Sequence, residues 1–229
     1  YPSSEKLYDW ELGYQYTAPR LSLGVNLYYM KYKDQLVPTG MVNDDSNALN
    51  TNVPDSYRRG VELSASWRAT GWFTVGANAT FSQNRIENYV DALKDSPTYG
   101  KELGDMTIAY SPDVIANAFL NFHHRGFEAV FHTQHVGKQY FTNNENDALS
   151  LDAYCVTNLN LAYTFRTRSA RSVRLGLLIN NLFNAEYESN GYGYSYMNTW
   201  SGPAPVRIDE AYYFPQAPLN VLANVTVKF

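Results

Sequence analysis

The chain has 229 residues, a formal net charge of −4, 15% aromatic residues and a single cysteine, Cys155. Mild acidity argues against nucleic-acid binding, which usually leaves a basic patch, and a lone cysteine excludes an internal disulfide. No stretch reaches the 18 or more apolar residues that predict a transmembrane helix.

Taken in chain order, nine segments alternate apolar and polar residues with a period of two, which predicts β-strands with one apolar face. In the first eight, the apolar sets lie within residues 8–16, 21–29, 61–67, 73–81, 116–122, 127–131, 159–165 and 173–179. The ninth segment ends the chain, and its apolar set is Leu219, Val221, Ala223, Val225, Val227 and Phe229. A transmembrane barrel gives this pattern because lipid-facing and lumen-facing residues alternate.

The apolar sets contain no Asp, Glu, Lys or Arg. Arg or Lys facing the middle of a bilayer costs ~2–4 kcal/mol. A soluble β-sandwich, the alternative, also excludes charge, but its core needs large interdigitating aliphatic side chains. Here Tyr and Trp lie near segment ends, as is typical of membrane interfaces; examples are Tyr8, Trp10, Tyr29, Trp67 and Trp72. We therefore predict an all-β, transmembrane antiparallel β-barrel.

Short and long connections alternate along the chain. The short ones are 17–20, 69–71, 123–126 and 166–171, and the long ones are about 36–56, 85–112, 140–150 and 185–216. Bacterial barrels have short periplasmic turns and long extracellular loops, so the pattern predicts a periplasmic C-terminus. Nine strands that begin and end in the same direction cannot close an even-stranded barrel. We therefore expect further strands before Tyr1, with residues 1–229 forming the C-terminal portion of a larger barrel.

Several runs resemble the C-terminal half of the TonB-dependent outer-membrane receptors, especially those of Bacteroidetes. They are Ser-Glu-Lys-Leu-Tyr-Asp-Trp-Glu-Leu-Gly at 4–13, Arg-Gly-Val-Glu-Leu at 59–63, Pro-Asp-Val-Ile-Ala-Asn-Ala at 112–118, Val-Gly-Lys-Gln-Tyr at 136–140, Asn-Asn-Leu-Phe-Asn-Ala-Glu-Tyr at 180–187 and Tyr-Tyr-Phe-Pro-Gln-Ala at 212–217. The family's barrel has about 22 strands. The resemblance implies that these nine are the last, and that the plug domain is absent from this chain.

The resemblance also implies a function: active import of a scarce nutrient across the outer membrane of a Gram-negative cell, with a ferric siderophore or other iron complex as the expected cargo. In this family an inner-membrane TonB complex pulls on the N-terminal plug. Cobalamin, haem or a glycan are alternative cargoes, and a passive porin or a structural surface barrel is the alternative class. Further expected partners are outer-membrane lipids and the barrel assembly machinery, for which Phe229 would be the C-terminal signal. A surface lipoprotein is a further candidate partner.

The candidate ligand-binding residues lie in the loop at about 185–216: Tyr192, Tyr194, Tyr196, Trp200 and Tyr212. Rigid aromatic side chains beside flexible glycines are typical of recognition surfaces, and Gly191, Gly193 and Gly202 supply the glycines. The alternative is that these rings form the outer aromatic belt and pack loop against loop. That alternative is weaker for Tyr194, Tyr196 and Trp200, which are furthest from the strand ends.

No catalytic constellation is recognisable, so we expect neither an enzyme nor a bound cofactor. His123, His124, His132 and His135 have no zinc-site spacing with Cys155. Two acidic groups, Asp44 with Asp45 and Asp91 with Asp95, Glu102 and Asp105, lack the regular spacing of a Ca²⁺ loop, which favours solvated loops over a metal site. The expected lumen-facing charges pair with each other or with a plug: Glu11, Glu62, Arg68, Glu128 and Arg174.

Overall fold

A computed structural model describes residues 2–42, 48–93, 96–200 and 202–229. The strands in these ranges are β1 Lys6–Ala18, β2 Leu21–Val42, β3 Ala48–Arg68, β4 Phe73–Ile86, β5 Met106–Thr107, β6 Val114–His124, β7 Phe127–Val136, β8 Gln139–Tyr140, β9 Ser150–Leu151, β10 Tyr154–Phe165, β11 Ser172–Asn180, β12 Glu188–Asn198, β13 Val206–Pro215 and β14 Asn220–Lys228. The helical element there is one 3-10 turn, Asp147–Leu149. No helix in the described ranges is long and apolar enough to cross a membrane.

The main sheet confirms the nine predicted strands. Its order is β1-β2-β3-β4-β6-β7-β10-β11-β14, with every neighbouring pair antiparallel and the short β5 added beside β4. Within the described residues, β1 and β14 each pair with one neighbour and form the two edges of this sheet.

One face of the sheet collects the predicted apolar sets. The cross-strand register places Leu12 opposite Leu27, Leu63 opposite Ala79 and Leu175 opposite Val225. Most of these side chains are exposed, with Leu12 at 71% and Val225 at 66% of full accessibility. A continuous exposed apolar surface of this extent marks a contact with another apolar phase, which here fits lipid.

The register also gives the strand tilt. A row of directly opposed residues that starts at Ala18, the last residue of β1, arrives at Val221, seven residues before the last residue of β14. With about 3.4 Å per residue and about 4.8 Å per strand, this stagger over eight strand steps corresponds to a tilt of roughly 30–35°. The eight residue steps from Leu21 to Tyr29 then span about 23 Å along the barrel axis, close to the height of a bacterial barrel's apolar band.

The long connections are more ordered than predicted. Residues 36–56 were expected to form a loop, but β2 and β3 continue through most of this range as a paired ribbon. The prediction was wrong because Val37 and Val53 enter a buried cluster with Ile86, Tyr89 and Ile108, which fixes the ribbon beyond the membrane band. Similarly, β4 extends to Ile86, inside the range predicted as the second loop.

The other two long connections also contain regular structure. Residues 140–150 include β8, the 3-10 turn and the start of β9, while residues 188–198 and 206–215 form the hairpin β12–β13. A second buried cluster joins them: Phe141, Leu149 and Leu151, with Ala211 packed against it. Both cores therefore lie at the long-loop end, because the sheet turns its own apolar face outward.

The two faces of β14 predict opposite tolerance to charge. Val225→Arg places a cation near the middle of the apolar band and should cost about 2–4 kcal/mol. Asn224→Arg, one residue away on the other face, should be accommodated because that face is polar. We expect the fraction of intact protein that folds into lipid vesicles to fall for Val225→Arg and to stay near the wild-type value for Asn224→Arg. Equal behaviour of the two variants would contradict the face assignment.

Candidate functional site

Hairpin β12–β13 brings together four of the five candidate residues. Tyr192 lies opposite Tyr212, and Tyr194 and Tyr196 follow at two-residue steps along β12. Because alternate residues of a strand share a face, all four project from the same side. The fifth candidate, Trp200, lies beyond the end of β12, is 93% exposed, and joins no ring pair in the described part of the chain.

The four tyrosine rings form a stack. The ring centroids of Tyr192 and Tyr212 are 5.0 Å apart at an interplanar angle of 14°. Tyr194 lies 6.3 Å from both Tyr212 and Tyr196. Phe214 adds a fifth ring, 6.1 Å from Tyr192. The sequence analysis missed Phe214, although its two-residue spacing from Tyr212 was a usable signal.

A carboxylate lies within this stack. Glu210 accepts hydrogen bonds from the hydroxyls of Tyr194 at 2.7 Å, Tyr196 at 3.0 Å and Tyr212 at 3.0 Å. These three bonds lower the pKa of Glu210, and in return they raise the pKa values of Tyr194 and Tyr196. We call Tyr192, Tyr194, Tyr196, Tyr212 and Glu210 the tyrosine face. Glu210 was missed because only the hairpin register places it opposite Tyr194.

The opposite side of the hairpin is a packing surface. A Cβ atom on Gly193 would lie 2.9 Å from side-chain atoms of both Phe141 and Leu149, and one on Gly191 would lie 2.7 Å from the Phe141 ring. Tyr213 also contacts Phe141, with ring centroids 5.8 Å apart. The interpretation of Gly191 and Gly193 as flexible loop residues was therefore wrong. They lie within strand β12 and allow close approach to the second buried cluster.

A polar network fixes the hairpin to the 3-10 turn. Asp209 accepts hydrogen bonds from Ser195 Oγ at 2.6 Å, Asn146 Nδ2 at 2.8 Å and Arg207 Nε at 2.9 Å. Burial alone would raise the pKa of Asp209, but the hydrogen bonds together outweigh it and lower that pKa. The network and the apolar contacts hold the tyrosine face in one orientation relative to residues 141–151.

The polar face of the main sheet carries a second feature. Asn26 Nδ2 lies 3.3 Å from a carboxylate oxygen of both Glu11 and Glu62, in a groove of 610 Å³. Neither carboxylate has an ion-pair partner within the described ranges. Glu128 and Arg174 instead pair with each other through two hydrogen bonds of 2.8 Å.

The described ranges contain no group of three His, Cys, Asp or Glu side chains arranged to hold a metal ion. Of the acidic residues considered in the sequence, Asp44, Asp45 and Asp95 lie outside these ranges. Asp91 accepts hydrogen bonds from Thr98 Oγ1 and the Leu93 backbone amide, at 2.5 and 2.9 Å. Its oxygens therefore organise the loop.

The family profile described as "TonB dependent receptor-like, beta-barrel" matches residues 3–182, well over half of the chain. The chain belongs to this family. TonB-dependent receptor barrels are outer-membrane proteins, so the sheet spans the outer membrane. The short turns are then periplasmic and the long connections extracellular, as in other bacterial barrels, and the tyrosine face lies on the extracellular side.

Several known proteins are similar to this chain. The pesticin receptor of Yersinia pestis is 23% identical over 206 residues, which cover 90% of this chain and 28% of that receptor. The ferric yersiniabactin uptake receptor FyuA from Yersinia pestis superposes with a TM-score of 0.68 at 20% identity, covering 98% of this chain and 30% of FyuA. The copper transporter OprC gives 0.68 and 20%, covering 98% of this chain and 32% of OprC. The chain thus spans under a third of each, and the structural likeness shows the shared barrel fold.

Substitution of Gly193 tests how the hairpin packs against Phe141 and Leu149 in this receptor barrel. Gly193→Val adds atoms where Phe141 and Leu149 already lie, so we expect the hairpin to be destabilised by about 1–3 kcal/mol. Protease cleavage between β12 and β13 on intact cells should accelerate. The matched control is Gly202→Ala, since a Cβ there meets nothing within 4 Å. Equal cleavage rates for the two variants would contradict the packing.

The tyrosine face should respond to acid. The pKa of Glu210 is lowered from 4.5 in the folded hairpin. The ionised carboxylate therefore stabilises the folded hairpin fully above pH 4.5, and this stabilisation is lost as pH falls through the lowered pKa. The raised tyrosine pKa values preserve the same bonds on the alkaline side, up to and beyond pH 10.0. Hydrogen exchange of 188–215, corrected for intrinsic rates, should be level near neutrality and faster in acid. In Glu210→Gln the acid-induced increase should be smaller, and the remainder should come from Asp209, whose pKa is also lowered. An increase as large as in the wild type would show that Glu210 does not contribute to the acid response.

Proposed function

We propose that the whole receptor is an active outer-membrane transporter that imports a ferric siderophore or another iron complex. The observation that carries this proposal is the tyrosine face: an exposed and ordered aromatic stack at the extracellular end of a TonB-dependent receptor barrel. Ligand sites generally combine apolar or aromatic area with a few fixed polar groups, and the stack with Glu210 has both. Within the proposal, Tyr192, Tyr194, Tyr196, Tyr212 and Trp200 contact the cargo.

The nature of the cargo rests on chemistry and on similar proteins. Flat or ring-containing chelates can stack on tyrosine rings with a large contact area at low entropic cost. The resemblance to FyuA, described as a ferric yersiniabactin uptake receptor, favours an iron chelate, whereas the equal resemblance to OprC shows that the barrel alone does not select the metal. Cobalamin, haem and glycans are therefore the competing cargoes in the test.

The proposal includes two partners at the periplasmic side. A TonB complex supplies the energy by acting on a plug in the same receptor. Glu11 and Glu62 face the lumen without an ion-pair partner in the described ranges. Basic plug residues would neutralise these two carboxylates. We also propose that Phe229, which is 94% exposed at the end of the lipid-facing set, is read by the barrel assembly machinery. A surface lipoprotein stays a prediction.

The test uses the whole receptor in cells that lack other ferric-uptake receptors. Radiolabelled ferric hydroxamate, ferric catecholate and ferric citrate complexes are supplied separately, with haem, labelled cobalamin and oligosaccharides as competing probes. We expect accumulation of one iron complex that stops when TonB is deleted or the proton gradient is collapsed. Uptake that continues without TonB would indicate a passive porin. Selective uptake of haem, cobalamin or an oligosaccharide would replace the iron complex as cargo.

The contribution of the tyrosine face can be measured separately. Tyr194→Ala combined with Tyr196→Ala removes two rings from the stack and two donors to Glu210, so affinity for the imported complex should fall at least about 10-fold. Surface abundance should stay constant because the packing side of the hairpin is unchanged. Tyr99→Ala, at an exposed tyrosine on another extracellular connection, is the matched control. Unchanged affinity in the double variant would leave the stack with a packing role only.

A further inference from the structure

The short periplasmic turns are rich in arginine and free of acidic residues. No Asp or Glu occurs in these turns, which are residues 17–20, 69–71, 123–126 and 166–171. We call their five arginines the turn arginines: Arg20, Arg125, Arg166, Arg168 and Arg171. By contrast, the extracellular connections at 86–113 and 186–216 contain ten acidic and three basic side chains. Charge is therefore separated across the membrane, although the chain as a whole is acidic.

Aromatic residues mark both edges of the apolar band. The outer aromatic belt, beside the extracellular connections, consists of Tyr8, Trp10, Tyr29 and Tyr57. The inner aromatic belt, beside the short turns, consists of Trp67, Trp72, Phe122, Phe127, Tyr163 and Phe165. Tyr57 and Trp67 lie ten residue steps apart on β3, which is about 28 Å along the barrel axis at the strand tilt derived above. Since the apolar band of a bacterial barrel is about 25 Å tall between its aromatic girdles, the inner belt marks the periplasmic boundary.

The turn arginines lie at the depth of the lipid headgroups. Arg166 directly follows Phe165, and Arg125 lies two residues before Phe127. One or two residue steps correspond to about 3–6 Å along the barrel axis. The headgroup layer on each side of a bilayer is about 5–7 Å thick. The guanidinium groups are therefore within reach of headgroup phosphates in the periplasmic leaflet.

Backbone hydrogen bonds hold neighbouring turns together along the periplasmic end of the sheet. The His123 amide donates to the Trp72 carbonyl, and the Thr164 amide donates to the Gly126 carbonyl, each at 2.8 Å. The second bond places Arg125 beside the end of β10, where the turn with three arginines begins. Four of the turn arginines therefore lie on two adjacent turns.

The turn arginines are not used to fold the turns. All five are exposed, and none forms an ion pair in the ranges that the structure describes. The turn at 166–171 is closed instead by Thr167 and Ala170. The Ala170 amide donates to Thr167 Oγ1 at 3.0 Å, and the Thr167 amide donates to the Ala170 carbonyl at 3.3 Å. The arginine side chains are thus available to an external anion.

Arg125 occupies a backbone position that favours glycine or asparagine. Its φ is 48°, and Gly126 follows with a φ of 86°. A two-residue turn between antiparallel strands that has a positive φ at both positions usually carries Asn-Gly or Asp-Gly. A strained residue of this kind points to a role for its side chain, since the turn alone would be more stable with asparagine.

The turn with three arginines borders a groove of 520 Å³. Its lining includes Phe165, Arg166, Arg171, Lys228 and Phe229. Lys228 offsets the terminal carboxylate of Phe229, so Arg166 and Arg171 supply the excess positive charge. Phe165 belongs to the lipid-facing set of β10. A groove with cations beside lipid-facing aromatic area matches a molecule that has an anionic head and an apolar tail.

We propose that the turn arginines bind the phosphate of an anionic glycerophospholipid of the phosphatidylglycerol type in the periplasmic leaflet. Arg166 and Arg171 hold the phosphate in the groove, Arg125 and Arg168 flank it, and the acyl chains pass Phe165 into the bilayer. All five cations are arginine, whose planar guanidinium binds a phosphate through two parallel hydrogen bonds. The site lies on the opposite side of the membrane from the tyrosine face and is independent of the cargo.

The experiment measures lipid binding to the purified, delipidated whole receptor in neutral detergent, by native mass spectrometry. The probes are phosphatidylglycerol and phosphatidylethanolamine with identical acyl chains, which differ in net charge. We expect phosphatidylglycerol to bind at least 10-fold more tightly. Arg171→Gln should lower the affinity for phosphatidylglycerol about 5-fold. In the triple variant Arg166→Gln, Arg168→Gln, Arg171→Gln, the preference for phosphatidylglycerol should vanish.

Matched variants separate this site from charge and folding effects. Arg68→Gln removes the same charge at the same end of the barrel, but Arg68 adjoins the lipid-facing Trp67 on β3 and therefore faces the lumen. Its affinity for phosphatidylglycerol should equal that of the wild type. A triple variant with lysine at 166, 168 and 171 keeps the charge and should keep the preference. Heat-modifiable gel mobility shows that each variant is folded.

Four results would overturn the proposal. They are equal binding of the two lipids by the wild type, a loss in Arg68→Gln as large as in Arg171→Gln, a loss in the lysine variant as large as in the glutamine variant, and displacement of the lipid by inorganic phosphate at equal concentration. If the two lipids bind equally and the receptor sediments with purified peptidoglycan only when the turn arginines are present, the turns contact the cell wall instead of lipid.

Discussion

Contact with hydrocarbon is the constraint on which the rest of this structure depends. Backbone N–H and C=O groups in a bilayer must bond within the protein, and antiparallel pairing in series meets that requirement for each interior strand of the nine. Every second side chain of these strands then contacts lipid, which accounts for both the apolar outer face and the polar lumen. Because its apolar side chains face lipid, the sheet has no core of its own. The two buried clusters form beyond the membrane, in the extracellular connections.

Beyond the membrane the chain obeys different rules. There the outer face of the strands can carry charge. Ion pairs such as Lys31 with Asp55 lie directly beyond the outer aromatic belt. The connections pack against one another: Asn143 Nδ2 donates to the Pro38 carbonyl at 2.6 Å, and β12 contacts β2. This arrangement produces a hairpin with one packed and one exposed side, so the tyrosine face lies on an ordered foundation.

The sequence was sufficient to predict all nine membrane strands because lipid enforces the alternation residue by residue, as from Leu219 to Phe229. It was insufficient for the β2–β3 ribbon, where the burial of Val37 and Val53 depends on the distant Ile86 and Ile108. Composition and loop position were enough to select Tyr192, Tyr194, Tyr196 and Tyr212 as candidates, and the structure places them on one face of the hairpin. Trp200 was grouped with them although it lies apart. Glu210 could not be singled out, since its role follows from the register between two strands that the sequence had suggested were loop.

Alternate residues of β12 have two separate roles, packing and presentation. Gly191, Gly193 and Ser195 determine where the hairpin sits, whereas Tyr192, Tyr194 and Tyr196 determine what it presents. Substitutions at the even-numbered positions can therefore change the presented chemistry without moving the backbone. Substitutions at the odd-numbered positions move the backbone and leave the presented side chains unchanged. Under the function proposed above, a few exchanges on the exposed side of β12 would change the cargo, while the fit against Phe141 and Leu149 would be kept.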